Sequence, residues 1–121
     1  WIDTDDSHQL SLGMDKLLSR VERCTALFCY NDQVAYQLVK LLKERGIRVP
    51  EDISLIGMDD SDLAGMCEVP ITSLPHPKEK LGAMAAGNLL KLIENPKYNA
   101  IHEFETHIVE RESVLEIGYN L

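Results

Sequence analysis

Thr25-Ala-Leu-Phe-Cys-Tyr30 is a short apolar run that ends in the polar pair Asn31-Asp32. Such a run is typical of a parallel strand that is buried on both faces of its sheet. Apolar residues then recur at helical spacing over 33–45, and Gly46 follows where a helix would end. A second apolar run, Ile53-Ser-Leu-Ile-Gly-Met58, comes next. This order predicts a right-handed βαβ unit, because buried strands separated by a helix are typical of α/β folds.

The same alternation of elements extends in both directions along the chain. Periodicity predicts a first helix near 9–22, a helical turn at 63–66, a strand over 71–74, a helix from about Pro77 to before Asn95-Pro96, and a half-exposed edge strand over 103–108. We therefore expect a single α/β domain over residues 1–121, with a parallel sheet and helices on both faces.

Composition limits the classes of function. Lys and Arg number 12 against 20 Asp and Glu, a net charge of −8, which argues against nucleic-acid binding by this part of the protein. The sequence contains neither an apolar run long enough to span a membrane nor a secretory signal. Three cysteines without a Cys-x-x-Cys spacing indicate a reducing, cytoplasmic setting. The abrupt start at Trp1 suggests a piece of a longer protein.

Three predicted strands each end in a polar loop. In parallel sheets the ligand binds at the carboxyl ends of the strands, so Asn31, Asp59 and His76 could converge there. Their side chains are suitable partners for sugar hydroxyls, since a carboxylate accepts hydrogen bonds and an amide both donates and accepts. The same residue types also cap helices and shape turns, and this is the interpretation that we give to Asp32 and Ser61.

Other kinds of site find no support in the sequence. Counted from Asp60, the twelfth position of a calcium loop would be Ile71 and not a glutamate. The four histidines lack the spacing of a zinc site, and neither a glycine-rich phosphate loop nor a Gly-x-Ser-x-Gly elbow is present. We therefore predict no metal, no cofactor and no enzymatic activity.

A phospho-acceptor signalling domain of the flavodoxin-like type remains an alternative. Acidic residues at strand ends, with Thr72, Ser73 and Lys78 beyond them, could hold magnesium and a phosphoryl group. A chain that resembles such domains, however, has an acidic pair after the first strand, a lone Asp after the third and a Lys after the fifth. Here the acidic pair Asp59-Asp60 follows a middle strand, and Lys78 comes after two prolines.

Several of these segments together resemble a known family. The segments are Cys24-Thr-Ala-Leu-Phe-Cys-Tyr-Asn-Asp32, Gly46-Ile-Arg-Val-Pro-Glu-Asp-Ile-Ser-Leu-Ile-Gly-Met-Asp-Asp60, Pro70-Ile-Thr-Ser-Leu74 and His107-Ile-Val-Glu-Arg-Glu-Ser113. In this order and at these separations they resemble the effector-binding domain of the lactose/galactose repressor family. The last segment resembles the family's final strand.

The resemblance implies one lobe of a type I periplasmic-binding-protein-like fold. The sugar lies between two such lobes, and this chain would be the C-terminal one, without the N-terminal lobe and the DNA-binding domain. By resemblance Asn31 and Asp59 reach the ligand, His76 stands where the family usually has Gln, and Tyr30 and Trp1 are further candidates. The segments Met58-Asp-Asp60, His76-Pro77 and Cys29-Tyr-Asn-Asp32 look most similar to those of arabinose repressors, which carry a winged-helix headpiece of the gluconate-repressor type.

The resemblance also implies how such a protein works. A small sugar, with L-arabinose as one candidate, would release a homodimer from operator DNA. The expected dimer contacts lie on the outer face of helix 33–45 and on segment 65–69, at Gln33, Gln37, Met66 and Glu68. A periplasmic-type sugar carrier has the same lobed fold and remains a second alternative, although the sequence lacks an export signal.

Overall fold

The computed structural model of this chain describes residues 12–13, 16–17, 19 and 24–118. Its elements are β1 (Ala26–Phe28), α1 (Asp32–Glu44), β2 (Ser54–Asp59), α2 (Asp62–Met66), β3 (Thr72–Pro75) and α3 (Lys78–Glu94). The predicted alternation of strands and helices is confirmed from β1 to α3. Most of the predicted helix 9–22 lies outside the described residues, as does Trp1, but the described positions within 9–22 are helical.

The three strands form one parallel sheet in the order β1-β2-β3. Leu27 pairs with Leu55 across β1 and β2, and Asp59 pairs with Pro75 across β2 and β3. All three carboxyl ends therefore lie at the same edge of the sheet. The predicted α/β class with a parallel sheet is confirmed.

The core lies between α1 and the sheet. Ala35, Val39 and Leu42 follow one another at helical spacing, and all three are buried. They share a single apolar cluster with the fully buried Leu55 of β2 and with Ile71, which directly precedes β3. Burial of each large aliphatic side chain contributes about 1.5–3 kcal/mol, so this cluster fixes α1 on the sheet and with it the loop that precedes α1.

The prediction that β1 is buried on both faces is wrong for the described residues. Phe28 is 63% exposed and Ala26 is exposed as well. The physical reason is that β1 pairs only with β2 and forms the edge of the described sheet. The run is apolar and forms a strand as predicted, but in the described structure it has a neighbouring strand on one side only.

The predicted edge strand over 103–108 is also wrong, because the structure contains no strand there. A single antiparallel bridge joins Ser73 to Val109, just beyond the predicted range. The chain before it is held by isolated contacts, such as the hydrogen bond of 2.9 Å that the Thr106 hydroxyl donates to the carbonyl of Pro75. Alternating apolar residues mark here a surface segment without a hydrogen-bond ladder.

The segment that resembles the family's final strand joins the sheet through one serine. The buried Ser113 hydroxyl accepts a hydrogen bond of 2.8 Å from the backbone N–H of Thr72 and donates one to the carbonyl of Leu55. The N–H of Leu55 in turn donates to the carbonyl of Ser113 at 2.7 Å. Ser113 therefore closes the gap between the amino-terminal ends of β2 and β3.

Candidate functional site

Asn31 lies between β1 and α1 and begins the helix. Its backbone is extended (φ −156°), and its side chain Oδ1 accepts a hydrogen bond of 2.9 Å from the N–H of Val34. The oxygen is thus committed to the helix N-cap. Because an amide also carries two N–H donors, Asn31 can still donate to a ligand. The neighbouring Tyr30 is 75% exposed at the same edge of the sheet.

Asp59 is the last residue of β2 and has an unusual backbone. Its φ is 98°, and that of Asp60 is 47°, a region that residues other than glycine rarely occupy. Strained residues of this kind cluster at ligand-binding loops, where the surrounding structure holds them in place. The Asp59 side chain is 34% exposed, so its carboxylate remains accessible for a ligand.

Among the described residues, Lys78 is the cation that forms an ion pair with Asp59. Its Nζ lies 3.9 Å from Asp59 Oδ1, and its side chain is 63% exposed. An ion pair this long and this exposed contributes little free energy, about 0–1 kcal/mol. A polar ligand can therefore take the place of Lys78 beside Asp59 at small cost.

The Asp60 side chain is bound by partners inside the protein and is not available at the carboxyl ends of the strands. Its carboxylate pairs with the Arg111 guanidinium at 2.6 Å, and both side chains are about three-quarters buried, at 25% and 23% exposure. Arg111 also donates to the carbonyl of Ile71 at 2.9 Å. The backbone N–H of Asp60 donates to the Ser73 hydroxyl at 3.1 Å. Of the two adjacent aspartates, only Asp59 keeps its carboxylate available.

Asp32 is not a helix cap, so that interpretation is corrected. Asn31 occupies the N-cap, and Asp32 is the first helical residue, with 1% exposure. Its carboxylate accepts hydrogen bonds from the N–H and the hydroxyl of Ser61, at 2.7 and 2.9 Å, and from the hydroxyl of Ser73 at 2.6 Å. Ser61 does stand at the N-cap position of α2, but its side chain makes no capping hydrogen bond.

His76 lies in the exposed loop between β3 and α3. It lines a shallow surface cavity of about 370 Å³ together with Lys78 and the first turn of α3. Neither Asn31 nor Asp59 lines this cavity. In the structure Asp59 and Lys78 therefore lie close together, and Asn31 lies beyond the end of β1. His76 shares its surface cavity with Lys78 but not with Asn31 or Asp59.

Burial and charge act together on Cys29, at the end of β1. Burial, and secondly the negative charge of Asp32, raise the pKa of the Cys29 thiol to about 12. A thiol in this state is not a nucleophile near neutral pH, since the thiolate is the reactive form. Within the part of the chain that the structure describes, no three His, Cys, Asp or Glu side chains are grouped to hold a metal ion.

The predicted dimer contacts lie on α1, at the last residue of α2 and just after α2. Gln33 is exposed, and Met66 is 81% exposed. Glu68 forms an ion pair with Lys43 at the end of α1. Oε1 of Gln37 is buried and accepts no hydrogen bond from the described residues. These positions stay predictions, because the structure contains one copy of the chain.

No role in the sugar site was predicted from the sequence for Gly57, Ser73 or Arg111. Gly57 faces Asp32, Ser73 joins Asp32 to Asp60, and Arg111 pairs with Asp60. The motif Arg111-Glu-Ser113 was the available signal, but it was read only as the end of a strand.

Comparison with protein families is consistent with this geometry. A family model described as a periplasmic binding protein-like domain matches residues 2–114. This match is to a different family from the flavodoxin-like phospho-acceptor domains that were left open above. No helix among the described residues is both long and apolar enough to cross a membrane.

Curated relatives are transcriptional repressors. The HTH-type transcriptional repressor PurR of Vibrio cholerae is 38% identical over 107 residues, covering 88% of this chain and 32% of that protein. The arabinose metabolism transcriptional repressor of Geobacillus stearothermophilus is 38% identical over 98 residues, covering 79% of this chain and 27% of that protein. This chain thus spans about a third of the length of the relatives that it matches.

Solved structures give the same result. The CelR transcriptional regulator in complex with cellobiose is 33% identical, with a TM-score of 0.74, and the match covers 88% of this chain and 33% of that one. A lac repressor dimer bound to operator and the anti-inducer ONPF shares the fold, with a TM-score of 0.77 at 24% identity, over 92% of this chain and 39% of that one. The chain therefore belongs to the periplasmic-binding-protein-like domain family, and it is similar to the domain that transcriptional repressors of the lactose/galactose (LacI) family carry.

Proposed function

We propose that residues 1–121 are the C-terminal lobe of the sugar-binding effector domain of a bacterial transcriptional repressor. The other lobe and a DNA-binding domain would be encoded outside this sequence. A small sugar between the two lobes would change the balance between operator-bound and released forms of a homodimer. The chain itself would carry out no chemical step and would need no cofactor.

The observation that carries this proposal is that the acidic residues at the carboxyl ends of the strands differ in their partners and accessibility. Asp32 and Asp60 are saturated by internal partners, whereas Asp59 is held in a strained backbone with its carboxylate accessible. A carboxylate in that position can accept from two neighbouring hydroxyls of a sugar, while the amide of Asn31 donates to a third.

Relatives support a sugar as the effector. One relative is an arabinose metabolism repressor, another is the ribose operon repressor of Haemophilus influenzae, and a structural neighbour holds cellobiose. For this chain we propose L-arabinose as the first sugar to test, with His76 and Tyr30 as additional contacts. A repressor that binds operator DNA would act in the cytoplasm.

The missing parts follow from the same proposal. The net charge of −8 makes this lobe a poor partner for DNA, so operator contact would belong to a separate headpiece. We propose a winged helix of the gluconate-repressor type. Homodimer contacts would involve Gln33, Gln37, Met66 and Glu68. The sugar can shift the balance between the two forms only through its different affinity for each.

The test uses the intact protein and its operator. Thermal-shift assays with L-arabinose, D-ribose and cellobiose identify the sugar, and an operator-release titration then measures its affinity. Asp59→Asn should weaken release roughly 10- to 150-fold, since a hydrogen bond to a charged group is worth about 1.5–3 kcal/mol. Operator binding without sugar should be unchanged. Asp62→Asn, an exposed aspartate in the first turn of α2, is the matched control and should behave like the wild type.

Asn31 needs a variant that spares its cap. Asn31→Ala would remove both the cap and the amide donor, and loss of a cap alone costs about 1 kcal/mol. Asn31→Asp keeps an oxygen for the N–H of Val34 and replaces the amide donor with a negatively charged acceptor, so it should weaken sugar binding while the capping hydrogen bond is kept. A wild-type release curve for both Asp59→Asn and Asn31→Asp would remove these residues from the site and contradict the proposal.

A further inference from the structure

Asp32 joins three parts of the molecule that meet at the open edge of the sheet. It is the first residue of α1, and its carboxylate accepts from Ser61, between β2 and α2, and from Ser73, in β3. All of its hydrogen-bonding partners in the described structure are neutral. Burying a carboxylate costs free energy unless hydrogen-bond donors surround it. If this position contributed only packing, an apolar side chain would stabilise the fold as well or better.

The fold makes room for this carboxylate at Gly57. A Cβ atom built on Gly57 would lie 2.3 Å from Oδ1 of Asp32 and 3.2 Å from Cγ2 of Ile71. Any side chain at position 57 would therefore displace the carboxylate. The central strand is shaped to let Asp32 approach its backbone.

The strained turn is attached to Asp32 at two successive backbone N–H groups. Ser61 N–H donates directly to Asp32 at 2.7 Å. Asp60 N–H donates to the Ser73 hydroxyl at 3.1 Å, and that hydroxyl donates onward to Asp32 at 2.6 Å. Asp59 precedes both groups and has the larger positive φ, 98°. Its carboxylate direction is therefore set by groups that Asp32 holds.

We propose that Asp32, acting through Ser73, is a positioning residue that holds the Asp59 carboxylate in its ligand-binding direction. Asp32 does not touch the ligand itself, because it is 1% exposed. Its contribution is to hold the unfavourable backbone of Asp59 and Asp60 before the ligand arrives. A ligand then need not provide free energy to order the turn. This inference rests on the proposed function for its ligand, but the geometric part concerns the free protein.

Two serines provide a matched pair of variants in the intact protein. Ser61→Ala and Ser73→Ala each remove one hydroxyl that donates to Asp32. Ser61→Ala leaves the backbone N–H of Ser61 in place, whereas Ser73→Ala also frees the N–H of Asp60. A merely structural role for Asp32 predicts similar effects of both variants. A positioning role predicts that only Ser73→Ala disturbs Asp59.

The first measurement is NMR on the sugar-free protein. In Ser73→Ala the Asp60 amide should exchange faster with solvent, and the backbone resonances of Asp59 and Asp60 should shift. In Ser61→Ala these signals should stay near the wild type. If Ser73→Ala does not fold, Asp32→Asn takes its place, since an amide cannot accept from both Ser61 and Ser73. Unmoved Asp59 and Asp60 resonances in the folded variant would overturn the proposal.

The second measurement is calorimetric titration with L-arabinose, D-ribose and cellobiose. For the sugar that binds the wild type, Ser73→Ala should weaken binding at least about tenfold and Ser61→Ala less than about threefold. Equal losses in the two variants would overturn positioning through Ser73. If none of the three sugars binds the wild type, the proposed effector is wrong, and the NMR measurement alone decides the role of Asp32.

Discussion

Replacement of Gly57 by alanine tests how tightly the structure holds the buried carboxylate. The new Cβ would lie 2.3 Å from Oδ1 of Asp32, which is far inside contact distance. The same Oδ1 accepts the hydrogen bond of 2.6 Å from Ser73. Asp32 has little freedom to withdraw, because its backbone is the first residue of α1 and its other oxygen is bound by Ser61.

The cost has two parts. Overpacking a filled core costs about 1–3 kcal/mol. Displacement of the carboxylate also weakens a hydrogen bond to a charged group, worth about 1.5–3 kcal/mol. We expect Gly57→Ala to lower the free energy of unfolding by about 3–5 kcal/mol. With an m-value of about 2 kcal/mol/M, the urea midpoint should fall by about 1.5–2.5 M.

Urea unfolding of the intact protein, followed by circular dichroism, measures this shift. Gly82→Ala is the matched control, because Gly82 lies within α3 and a Cβ there would meet no atom within 4 Å. Alanine favours a helix over glycine by roughly 1 kcal/mol, so the control should be as stable as the wild type or more so. A Gly57→Ala midpoint equal to that of the wild type would refute the tight approach of Asp32.

Three further predictions concern stability, pH and reactivity. Ser113→Ala should lower the free energy of unfolding by about 2–4 kcal/mol in thermal or urea melts, because its hydroxyl satisfies two backbone groups at a buried position. Hydrogen bonds from Arg48 lower the pKa of Asp52 to about 2, so the stability that this pair contributes is present above about pH 4 and is lost as the pH falls towards 2. In an NMR titration Arg48→Ala should raise the pKa of Asp52 towards about 3.9, and an unchanged pKa would contradict the pairing. Iodoacetamide at neutral pH should label the exposed Cys24 before Cys29, whose pKa burial raises to about 12, and mass spectrometry of peptides would detect the reverse order.

Much of the fold could be predicted because its signals are local. The helix spacing of Val39 and Leu42 and the terminal Gly46 place α1 correctly, and the apolar run before Asp59 places β2. The edge strand over 103–108 was wrong because alternation of apolar and polar residues reports exposure and not hydrogen bonding. Whether such a segment pairs depends on which strand lies beside it, and this is decided by distant parts of the chain.

The site was predicted in outline but not in its internal connections. Adjacent residues such as Asn31 and Asp32 have almost the same capping preference, so the sequence cannot tell which of them begins the helix and which turns inward. The partners that decide this, Ser61 and Ser73, lie 29 and 41 residues away in the sequence. A glycine within an apolar strand, Gly57, was the one local sign that a polar group approaches the sheet.

The hydrogen bonds by which Ser113 connects the starts of β2 and β3 affect how the polypeptide folds. The serine hydroxyl contacts Leu55 and Thr72, which precede Ser113 by 58 and 41 residues. These separations are larger than the one between paired residues of neighbouring strands in a single βαβ unit. Non-local pairings of this kind slow folding, because the loop between the partners must close before the contact adds stability. During synthesis the ribosome must release residue 113 before the starts of β2 and β3 can be sealed. Until that moment three backbone groups of the growing chain, the N–H and carbonyl of Leu55 and the N–H of Thr72, lack the partners that Ser113 provides at the end of the sheet that faces away from the ligand.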